Sequence, residues 1–267
     1  MGMNRKAFTL IELLVVIAIV GILSSVIYTN ITGIRDRARI TAGIRFDSST
    51  LHSIGDQLVG EWTFDSPNLP LIDTSGFGNV GTCTTCPTYA TTSGYNNKGA
   101  ESFDGTNDSI IIPHNSNMFR SDGIMTISAW VNFLSIGSIK DIVNKGWNRV
   151  WLTRTSVNTF TFNLNNSALS SCNSRVYTDT TKFYFVTATY DGSSISMYVD
   201  GALSTTCNIG SVSLDAQTDS LRIGSQQANG QYWNGIIDDV RIYSSALSSS
   251  DIQKLYAEGK NKYVSSI

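Results

Sequence analysis

The chain has 267 residues; 41% are hydrophobic, only 15% are charged, and 19 Lys and Arg residues nearly balance 21 Asp and Glu residues, which leaves a net charge of -2. This length allows one large domain or two small ones. Nucleic-acid-binding proteins concentrate positive charge on one surface, and a near-neutral chain has no such excess. The composition therefore argues against DNA or RNA as a partner.

The chain begins with a short basic segment followed by a long apolar run. Residues 1–7 (MGMNRKA) contain Arg5 and Lys6, and the mostly apolar residues 8–31 are long enough to cross a bilayer as a helix. A secretory signal peptide would have a small-residue cleavage site after its apolar core, and none follows Leu23. The positive-inside rule places the N-terminus in the cytoplasm and the rest of the chain outside.

Beyond the apolar run the sequence continues to favour helix. Apolar residues from Ile34 to Leu58 recur mostly at three- or four-residue steps, with charged residues between them, which is typical of an amphipathic helix. No proline occurs between Phe8 and Leu58. The sequence therefore predicts one continuous helix over residues 8–59, whose second half packs its apolar stripe against a partner.

The segment KAFTLIELLVVIAIVGIL, residues 6–23, resembles the N-terminus of type IV prepilins and of the pseudopilins of type II secretion. The family pattern is a short basic leader, a cut before Phe, and a hydrophobic helix with Glu as its fifth residue. The resemblance implies that a prepilin peptidase cuts between Ala7 and Phe8, removes residues 1–7 and methylates the amine of Phe8. Ala7 stands where the family usually has Gly.

Glu12 is the carboxylate within the apolar run. An ionised group at mid-bilayer costs roughly 2.5–3.5 kcal/mol on insertion scales, so such residues usually have a partner. The resemblance implies that this partner is the amine of Phe8 in the adjacent subunit, and that the pair sets the axial register of a helical filament of this chain or related pilins. The alternative is that Glu12, near the start of the helix, lies at the level of the lipid headgroups.

From Gly60 the hydrophobic pattern changes to period two. Alternation over 126–133, 183–190 and 195–200 predicts half-buried strands, and Asp-Gly and Asn-Gly pairs spread through the region are turn signals. This pattern predicts an all-β head over residues 60–258, an antiparallel two-sheet sandwich or jelly roll.

The end of the head has a helical pattern. SSSDIQKLYAEG, residues 248–259, predicts a short closing helix with Ser249 or Ser250 at its N-cap and Gly259 just past its end. Residues 259–267 are then a C-terminal tail.

The head contains, in order, the blocks GEWTFD (60–65), DTSGFGNVG (73–81), GAESFDGTNDSIIIP (99–113), MTISAWV (125–131), IVNKGW (142–147), FVTATYDGSSISMYVDGALS (185–204), LRIG (221–224) and GIIDDVRIYSSALSSSDIQKLY (235–256). Their order and spacing are similar to those of laminin G-like domains of the concanavalin A-like jelly-roll class. The resemblance implies two antiparallel sheets of six or seven strands each. Because such domains start at the GEWTFD strand, little linker remains after the helix, which suggests a rigid stalk and head.

Some β-glucanases share this fold, which makes catalysis an alternative function. They carry an E-x-D-x-x-E pattern on one strand, and none of the head's glutamates, Glu61, Glu101 and Glu258, begins one. Retaining glycosidases need carboxylates about 5–5.5 Å apart, whereas Glu61 and Asp65 would lie about 13 Å apart on a strand. His114 stands alone and completes no triad. We therefore expect no enzymatic activity.

Carboxylates are also candidate calcium ligands. Ca²⁺ binds six to eight oxygens from carboxylates, carbonyls and water, and laminin G-like domains often hold one such ion. The resemblance implies Asp65, Asp73, Asp108 and Asp238 as its ligands. The alternative is that Asp73, Asp104 and Asp238 bond the backbone of their own turns.

Aromatic residues are candidates for contact with a carbohydrate or another cell-surface ligand. Trp62 and Trp130 lie inside strand blocks and are predicted to be buried. The aromatic residues predicted to be exposed on loops, and so to stack on a sugar, are Trp147, Trp151, Tyr232 and Trp233.

The four cysteines are Cys83, Cys86, Cys172 and Cys207. An even number in an exported chain favours two disulfides, and four cysteines allow three pairings. We predict Cys83–Cys86 and Cys172–Cys207. The alternative for Cys83 and Cys86 is half of a zinc site, but the sequence has no second CxxC.

Taken together, the sequence predicts a pilin-like structural subunit. The precursor is held in the cytoplasmic membrane, and after assembly the subunit lies in an extracellular pilus with a lectin-like head that serves adhesion. The alternatives are a minor tip pilin that acts as a carbohydrate-binding adhesin, and a type II secretion pseudopilin.

Overall fold

The computed structural model describes residues 54–67, 70–146, 150–165, 170–214, 218–226 and 230–264, with side chains up to Lys260. Ile54–Ile267 form a compact unit. The predicted leader and all but the end of the predicted helix over residues 8–59 lie outside the described residues. Within the described ranges, no helix is long and apolar enough to span a membrane.

The described part of the head contains fourteen strands and one helix. In chain order they are β1 (Leu58–Trp62), β2 (Thr88–Ala90), β3 (Ala100–Asp104), β4 (Ile110–Ile112), β5 (Met125–Phe133), β6 (Lys140–Lys145), β7 (Val150–Arg154), β8 (Thr159–Leu164), β9 (Ser171–Val176), β10 (Tyr184–Tyr190), β11 (Ser194–Val199), β12 (Ala202–Asn208), β13 (Leu221–Ile223), β14 (Asn234–Tyr243) and α1 (Ser249–Val264).

The strands form two antiparallel sheets. The eight-stranded sheet has the order β12-β11-β10-β5-β14-β3-β2, with β1 also paired to β14, and the six-stranded sheet has the order β4-β13-β6-β7-β8-β9. This arrangement confirms the predicted all-β, two-sheet jelly-roll sandwich. One sheet has eight strands rather than six or seven, because β1 and β3 pair with successive parts of the same side of β14.

The main core lies between the sheets. It contains Trp62, Phe103, Ile127, Phe162 and many other apolar side chains that are almost fully buried. The burial of Trp62 agrees with its predicted position, and its indole Nε1 donates a hydrogen bond to the Asn79 carbonyl at 2.9 Å. A polar atom of a buried aromatic side chain is thereby satisfied.

A second cluster covers the outer face of the eight-stranded sheet. Trp130 and Phe185 pack there against Leu255 of α1 and against Ile54. The ring of Tyr95 stacks on Trp130, with centroids 4.1 Å apart. All residues of β5 and β10 are consequently buried, on both faces of the sheet. The prediction that these two strands are half-buried was wrong, because their outer faces carry this second cluster.

The closing helix is longer than predicted. Gly259 lies inside α1 rather than past its end, and a Cβ at this position would approach Trp130 to 2.6 Å. Gly259 therefore serves the close packing of the helix on the sheet. Ser248, one residue before the predicted caps, accepts a hydrogen bond from the Asp251 backbone N–H at 3.2 Å.

The start of the head also differs from the prediction. Leu58 and Val59 belong to β1, where Leu58 pairs with Tyr243, so helix cannot extend to residue 59. Pairing with β14 supplies the backbone hydrogen bonds that the helix would have supplied.

Both disulfides are present as predicted. Cys83–Cys86 closes a local loop, with Cα atoms 5.1 Å apart. Cys172–Cys207, with Cα atoms 5.6 Å apart, joins β9 to β12. These are edge strands of different sheets, so the second bond ties the two layers together at one edge. Because all four cysteines are bonded, Cys83 and Cys86 do not form half of a zinc site.

Removing the second disulfide should destabilise the head more than removing the first. Cys172 and Cys207 are 35 positions apart, whereas Cys83 and Cys86 are 3 apart. Loop entropy gives a stabilisation of about 3–4 kcal/mol for the longer loop and about 2 kcal/mol for the shorter. Chemical denaturation of Cys172→Ser/Cys207→Ser, with Cys83→Ser/Cys86→Ser as the matched control, measures both. A larger loss in the control variant would contradict the prediction.

Candidate functional site

The predicted aromatic residues differ in position. Trp233 is 1% exposed within the main core, and its Nε1 donates to the Asn132 carbonyl at 3.2 Å, so its prediction as an exposed ligand contact was wrong. The Trp233 side chain can be buried because its indole N–H donates a hydrogen bond to a backbone carbonyl in the core. Trp151 and Tyr232 are half-buried. Trp147 lies outside the described residues, as do Ala7, Phe8 and Glu12.

Trp151 lies on the outer face of the six-stranded sheet. It precedes Leu152, whose side chain is in the main core, and successive side chains of a strand point to opposite faces. Its Nε1 donates to the Gly146 carbonyl at 3.3 Å, which fixes the indole on the sheet. Across the strands, Trp151 pairs with Asn144, and Asn144 pairs with Arg222. These three side chains therefore form a row on one face.

Asp141 joins this row from the same strand as Asn144. Asn144 Nδ2 donates to Asp141 Oδ2 at 2.9 Å. Asp141 is 1% exposed and Asn144 is fully buried. Burial raises the pKa of Asp141 to about 7, although hydrogen bonds with Thr153 and Asn144 act in the opposite direction. We call Asp141, Asn144, Trp151 and Arg222 the polar face.

Three buried atoms of the polar face have no hydrogen-bond partner within the described part of the chain. They are Asp141 Oδ1, Asn144 Oδ1 and Arg222 Nε. An unsatisfied buried polar group costs about 1–3 kcal/mol, and native structures contain few of them. These three atoms lie on adjacent side chains of the polar face.

Serine hydroxyls hold Arg222 in place. Its Nη1 donates to Ser109 Oγ at 3.2 Å, and Ser109 Oγ lies 2.6 Å from Ser225 Oγ. One end of the guanidinium is thus fixed while Nε stays without a partner.

The predicted calcium ligands do not converge on one site. Asp73 accepts four hydrogen bonds at 2.8–2.9 Å, from the backbone N–H groups of Glu61, Ser75 and Asn79 and from the Asn79 side chain. Burial acts to raise the pKa of Asp73, but a hydrogen bond with the Ser75 side chain and those from the backbone N–H groups of Asn79, Glu61 and Ser75 outweigh it and lower the pKa. Asp73 is therefore used as the alternative to calcium binding predicts: its carboxylate accepts hydrogen bonds from the backbone around its turn. Asp108 Oδ2 accepts from the Asp104 backbone N–H at 2.8 Å.

Asp238 has different surroundings. It is fully buried in β14, at the point where the partner of that strand changes from β3 to β1. Its Oδ2 accepts from the Tyr95 backbone N–H at 3.2 Å, and its Oδ1 has no partner among the described residues. Burial, followed by the negative charges of Asp239 and Asp65, raises the pKa of Asp238 well above its usual range.

Two backbone carbonyl oxygens lie near one oxygen of the Asp238 carboxylate. A Cβ at Gly94 would lie 2.5 Å from Asp238 Oδ2, 2.7 Å from the Gly99 carbonyl oxygen and 3.0 Å from that of Lys98, so these oxygens are close together. Carboxylate and carbonyl oxygens are the ligands that Ca²⁺ prefers. Three such oxygens near Gly94 are part of the six to eight that Ca²⁺ needs, and no group of three His, Cys, Asp or Glu residues in the described ranges is placed to hold a metal.

The two sheets and their order define the head as an antiparallel jelly-roll β-sandwich. The chain belongs to the concanavalin A-like lectin/glucanases superfamily, whose sequence profile matches residues 104–253. Residues 2–28 match the prokaryotic N-terminal methylation motif. Both resemblances seen in the sequence are thereby confirmed. No curated protein sequence matches this chain.

Solved structures share the fold. The binding domain of Paraclostridial Mosquitocidal Protein 1 is 17% identical with a TM-score of 0.63, over 76% of this chain and 52% of that one. Domain 4 of the arabinanase AbnA from Geobacillus stearothermophilus, in complex with arabinotriose, is 17% identical with a TM-score of 0.60. The match covers 75% of this chain and 98% of the arabinanase domain. A structure of botulinum neurotoxin type C, whose cell entry is described as dependent on interaction with two ganglioside molecules, is 18% identical with a TM-score of 0.58. The match covers 78% of this chain and 53% of the toxin chain.

These structures are similar to the head in fold alone. The chain spans about half the length of the two toxin chains, at 52% and 53%, and almost the whole of the arabinanase domain, at 98%.

Sequence reasoning missed Asp141, Asn144 and Arg222. The signal that could have found them is a polar residue inside an apolar strand block, as in KDIVNK and LRI. Strand register was needed to show that Asn144 and Arg222 lie opposite each other.

Proposed function

We propose that this chain is a type IV pilin-like subunit that assembles through its N-terminal segment and displays the head for adhesion to carbohydrate. The methylation motif over residues 2–28 supports assembly with other pilins after processing by a prepilin peptidase. The lectin-type fold supports carbohydrate as the ligand class. Fold alone does not define a ligand, so the proposal depends on the site.

One observation carries the carbohydrate half of the proposal. Trp151 is a half-buried aromatic side chain fixed on the outer face of a sheet, with polar side chains beside it. A sugar presents apolar C–H faces, which suit an aromatic ring, and hydroxyls, which suit polar neighbours. The arabinotriose complex of the arabinanase domain and the gangliosides named for the neurotoxin are consistent with such a ligand. We propose binding without hydrolysis.

The assembly half is tested on sheared filaments. We expect the mature chain to begin at a methylated Phe8, as measured by N-terminal mass. Glu12→Gln should block assembly and leave the protein in the cytoplasmic membrane, because the carboxylate pairs with the amine of the next subunit. Glu258→Gln, a glutamate of the head, is the matched control. Normal filaments from Glu12→Gln, or an uncut Met1 form as the sole species, would contradict the proposal.

The binding half is tested with the compact unit Ile54–Ile267 on a glycan array. Trp151→Ala should weaken the binding of any captured glycan by roughly tenfold, equivalent to about 1.4 kcal/mol. Phe77→Ala, which removes an exposed aromatic side chain from the loop near Asp73, should not change it. We expect no release of sugar from β-glucans. Failure of the wild-type head to bind any glycan, or hydrolysis, would overturn this half.

We also propose that the head holds one Ca²⁺, with Asp238 as the central ligand and Asp65 and the carbonyls of Lys98 and Gly99 beside it. The unpaired Oδ1 of Asp238 supports this proposal, because a cation would neutralise a buried carboxylate that is otherwise costly to ionise. The negative charge of Asp65 also raises the pKa of Asp238, so a cation between the two carboxylates would relieve this repulsion as well.

Calcium removal should lower the melting temperature of the wild-type head. Binding to the native state alone stabilises it by mass action, so a chelator removes that stabilisation. Asp238→Asn should lose the sensitivity to chelator, because its neutral side chain no longer requires a cation. Asp108→Asn should keep it, since Asp108 bonds within its own loop. Melting that is unchanged by chelator in the wild type would rule out the ion.

A further inference from the structure

A cavity opens at one edge of the sandwich, between the two sheets. The strands at this edge are β2 of the eight-stranded sheet and β4 of the six-stranded sheet. The cavity has a volume of about 190 Å³. A cavity of about 150 Å³ is large enough for benzene, so this one accommodates a small organic group.

The walls of the cavity are mostly apolar. The described residues that line it include two prolines, Leu71, Ile110 and the Cys83–Cys86 disulfide, together with Tyr89 and Glu101. Glu101 is the one carboxyl side chain among them. It lies on the same face of β3 as Phe103 of the main core, because alternate side chains of a strand share a face.

Glu101 has no partner for its carboxyl group. Its side chain is 5% exposed, and it makes no hydrogen bond or ion pair in the described part of the chain. Burial, followed by the negative charge of Asp108, raises the pKa of Glu101 to about 7. Buried acidic groups are usually paired, so a buried acid that faces an open cavity without a partner is a candidate for binding a ligand.

The walls are held in place before any ligand arrives. Thr85, inside the disulfide loop, donates from its hydroxyl to the Asn107 carbonyl at 2.6 Å and accepts at its carbonyl from the Ser109 backbone N–H at 3.1 Å. The Tyr89 hydroxyl donates to the Asp65 carbonyl at 3.0 Å. A preformed site lowers the entropic cost of binding.

The charges at the cavity favour a cation. Asp108 adds a second negative charge near Glu101, and a positive charge in the cavity would stabilise the ionised form of the buried acid. A calcium ion does not fit, because it needs six to eight oxygen ligands, whereas the lining side chains supply one carboxyl group and one hydroxyl.

The apolar walls favour a cation without N–H groups. A primary ammonium and a guanidinium each carry several N–H donors. One carboxylate does not accept all of them, and each buried donor without an acceptor is costly. A quaternary ammonium has no donor to satisfy, its methyl groups suit apolar side chains, and an aromatic ring such as that of Tyr89 attracts it.

We propose that the cavity between β2 and β4 binds a quaternary ammonium group, such as the trimethylammonium group of choline, with Glu101 as its counter-ion. The cavity shares no residue with the polar face, and the inference goes beyond the proposed carbohydrate binding. The same group occurs in free choline and in the headgroup of phosphatidylcholine, and the test distinguishes these two sources.

The test titrates the compact unit Ile54–Ile267 by calorimetry with choline, n-butylammonium and 3,3-dimethylbutan-1-ol. The last compound has the shape of choline, with carbon in place of the charged nitrogen. We expect choline to bind roughly tenfold more tightly than either of the others. Glu101→Gln, which keeps the shape of the side chain, should weaken choline binding by about tenfold. Glu258→Gln, a glutamate of α1, is the matched control and should not change it.

The pH dependence gives a readout that a merely structural role of Glu101 would not produce. Choline affinity should rise as the pH increases through about 7, because Glu101 then ionises, and this rise should be absent in Glu101→Gln. The titratable groups beside Glu101 are Asp108 and Tyr89. Burial raises the pKa of Tyr89 above its ordinary value, so Tyr89 stays neutral in this range.

Sedimentation with vesicles identifies the source of the ligand. Binding to phosphatidylcholine vesicles, but not to phosphatidylglycerol vesicles, would support the lipid headgroup. Binding of free choline without binding to either vesicle would support the small molecule.

Melting temperatures confirm that each variant folds, and the comparison of choline with its neutral analogue tests the wild type even if Glu101→Gln does not fold. Equal affinity for 3,3-dimethylbutan-1-ol would overturn Glu101 as the counter-ion. Tighter binding of n-butylammonium would overturn the quaternary ligand class. Unchanged choline affinity in a folded Glu101→Gln would overturn the cavity as the site. Binding of no probe would overturn the inference and leave the proposed carbohydrate binding untouched, since that is measured on the glycan array.

Discussion

The packing of α1 on Trp130 gives the two outer faces of the sandwich different roles. Leu255, Gly259 and the ring of Tyr95 close around this tryptophan, so the central strands of the eight-stranded sheet are buried on both sides. A β-sandwich has two outer faces, and this cluster covers one of them. The outer face of the six-stranded sheet carries the polar face, where Trp151 and Arg222 are half-buried and Asp141 and Asn144 are buried.

Buried carboxylates in the head fall into two groups by how their oxygens are satisfied. Asp73 accepts four hydrogen bonds, which explains a lowered pKa and a structural role within its turn. Asp141 and Asp238 each have an oxygen without a partner among the described residues and a pKa raised by burial. The second group is costly to ionise unless a bound group compensates for the burial, which is the physical reason for proposing a cation at Asp238.

The sequence predicted those parts of the fold that depend on neighbouring residues in the chain, such as strands and turns. Alternation identified strands such as β11, alternation and turn signals predicted the sandwich, and the even number of cysteines predicted two disulfides, while the structure selects one of the three possible pairings. Tertiary packing decided the rest. Trp233 follows a loop-like sequence but finds a core position and a backbone acceptor, and Gly259 resembles a helix end but fits against Trp130. The polar face depends on the register of β13, β6 and β7, and the spacing of Asn144 and Arg222 in sequence gives no indication of it.

The attachment of the head to the preceding segment suits the proposed adhesive role. The chain enters the head at β1, which pairs with β14, and β14 also pairs with β5 and β3 near the middle of the larger sheet. Glu61 and Arg241 lie opposite each other on β1 and β14, with Arg241 Nε 3.0 Å from a Glu61 oxygen. Ser244 adds a backbone hydrogen bond to Gln57 at 2.8 Å. A pull on the N-terminal segment would therefore act on β1, whose one strand partner in the described part of the chain is β14, and the Glu61–Arg241 pair and the Ser244–Gln57 hydrogen bond add to that strand pairing.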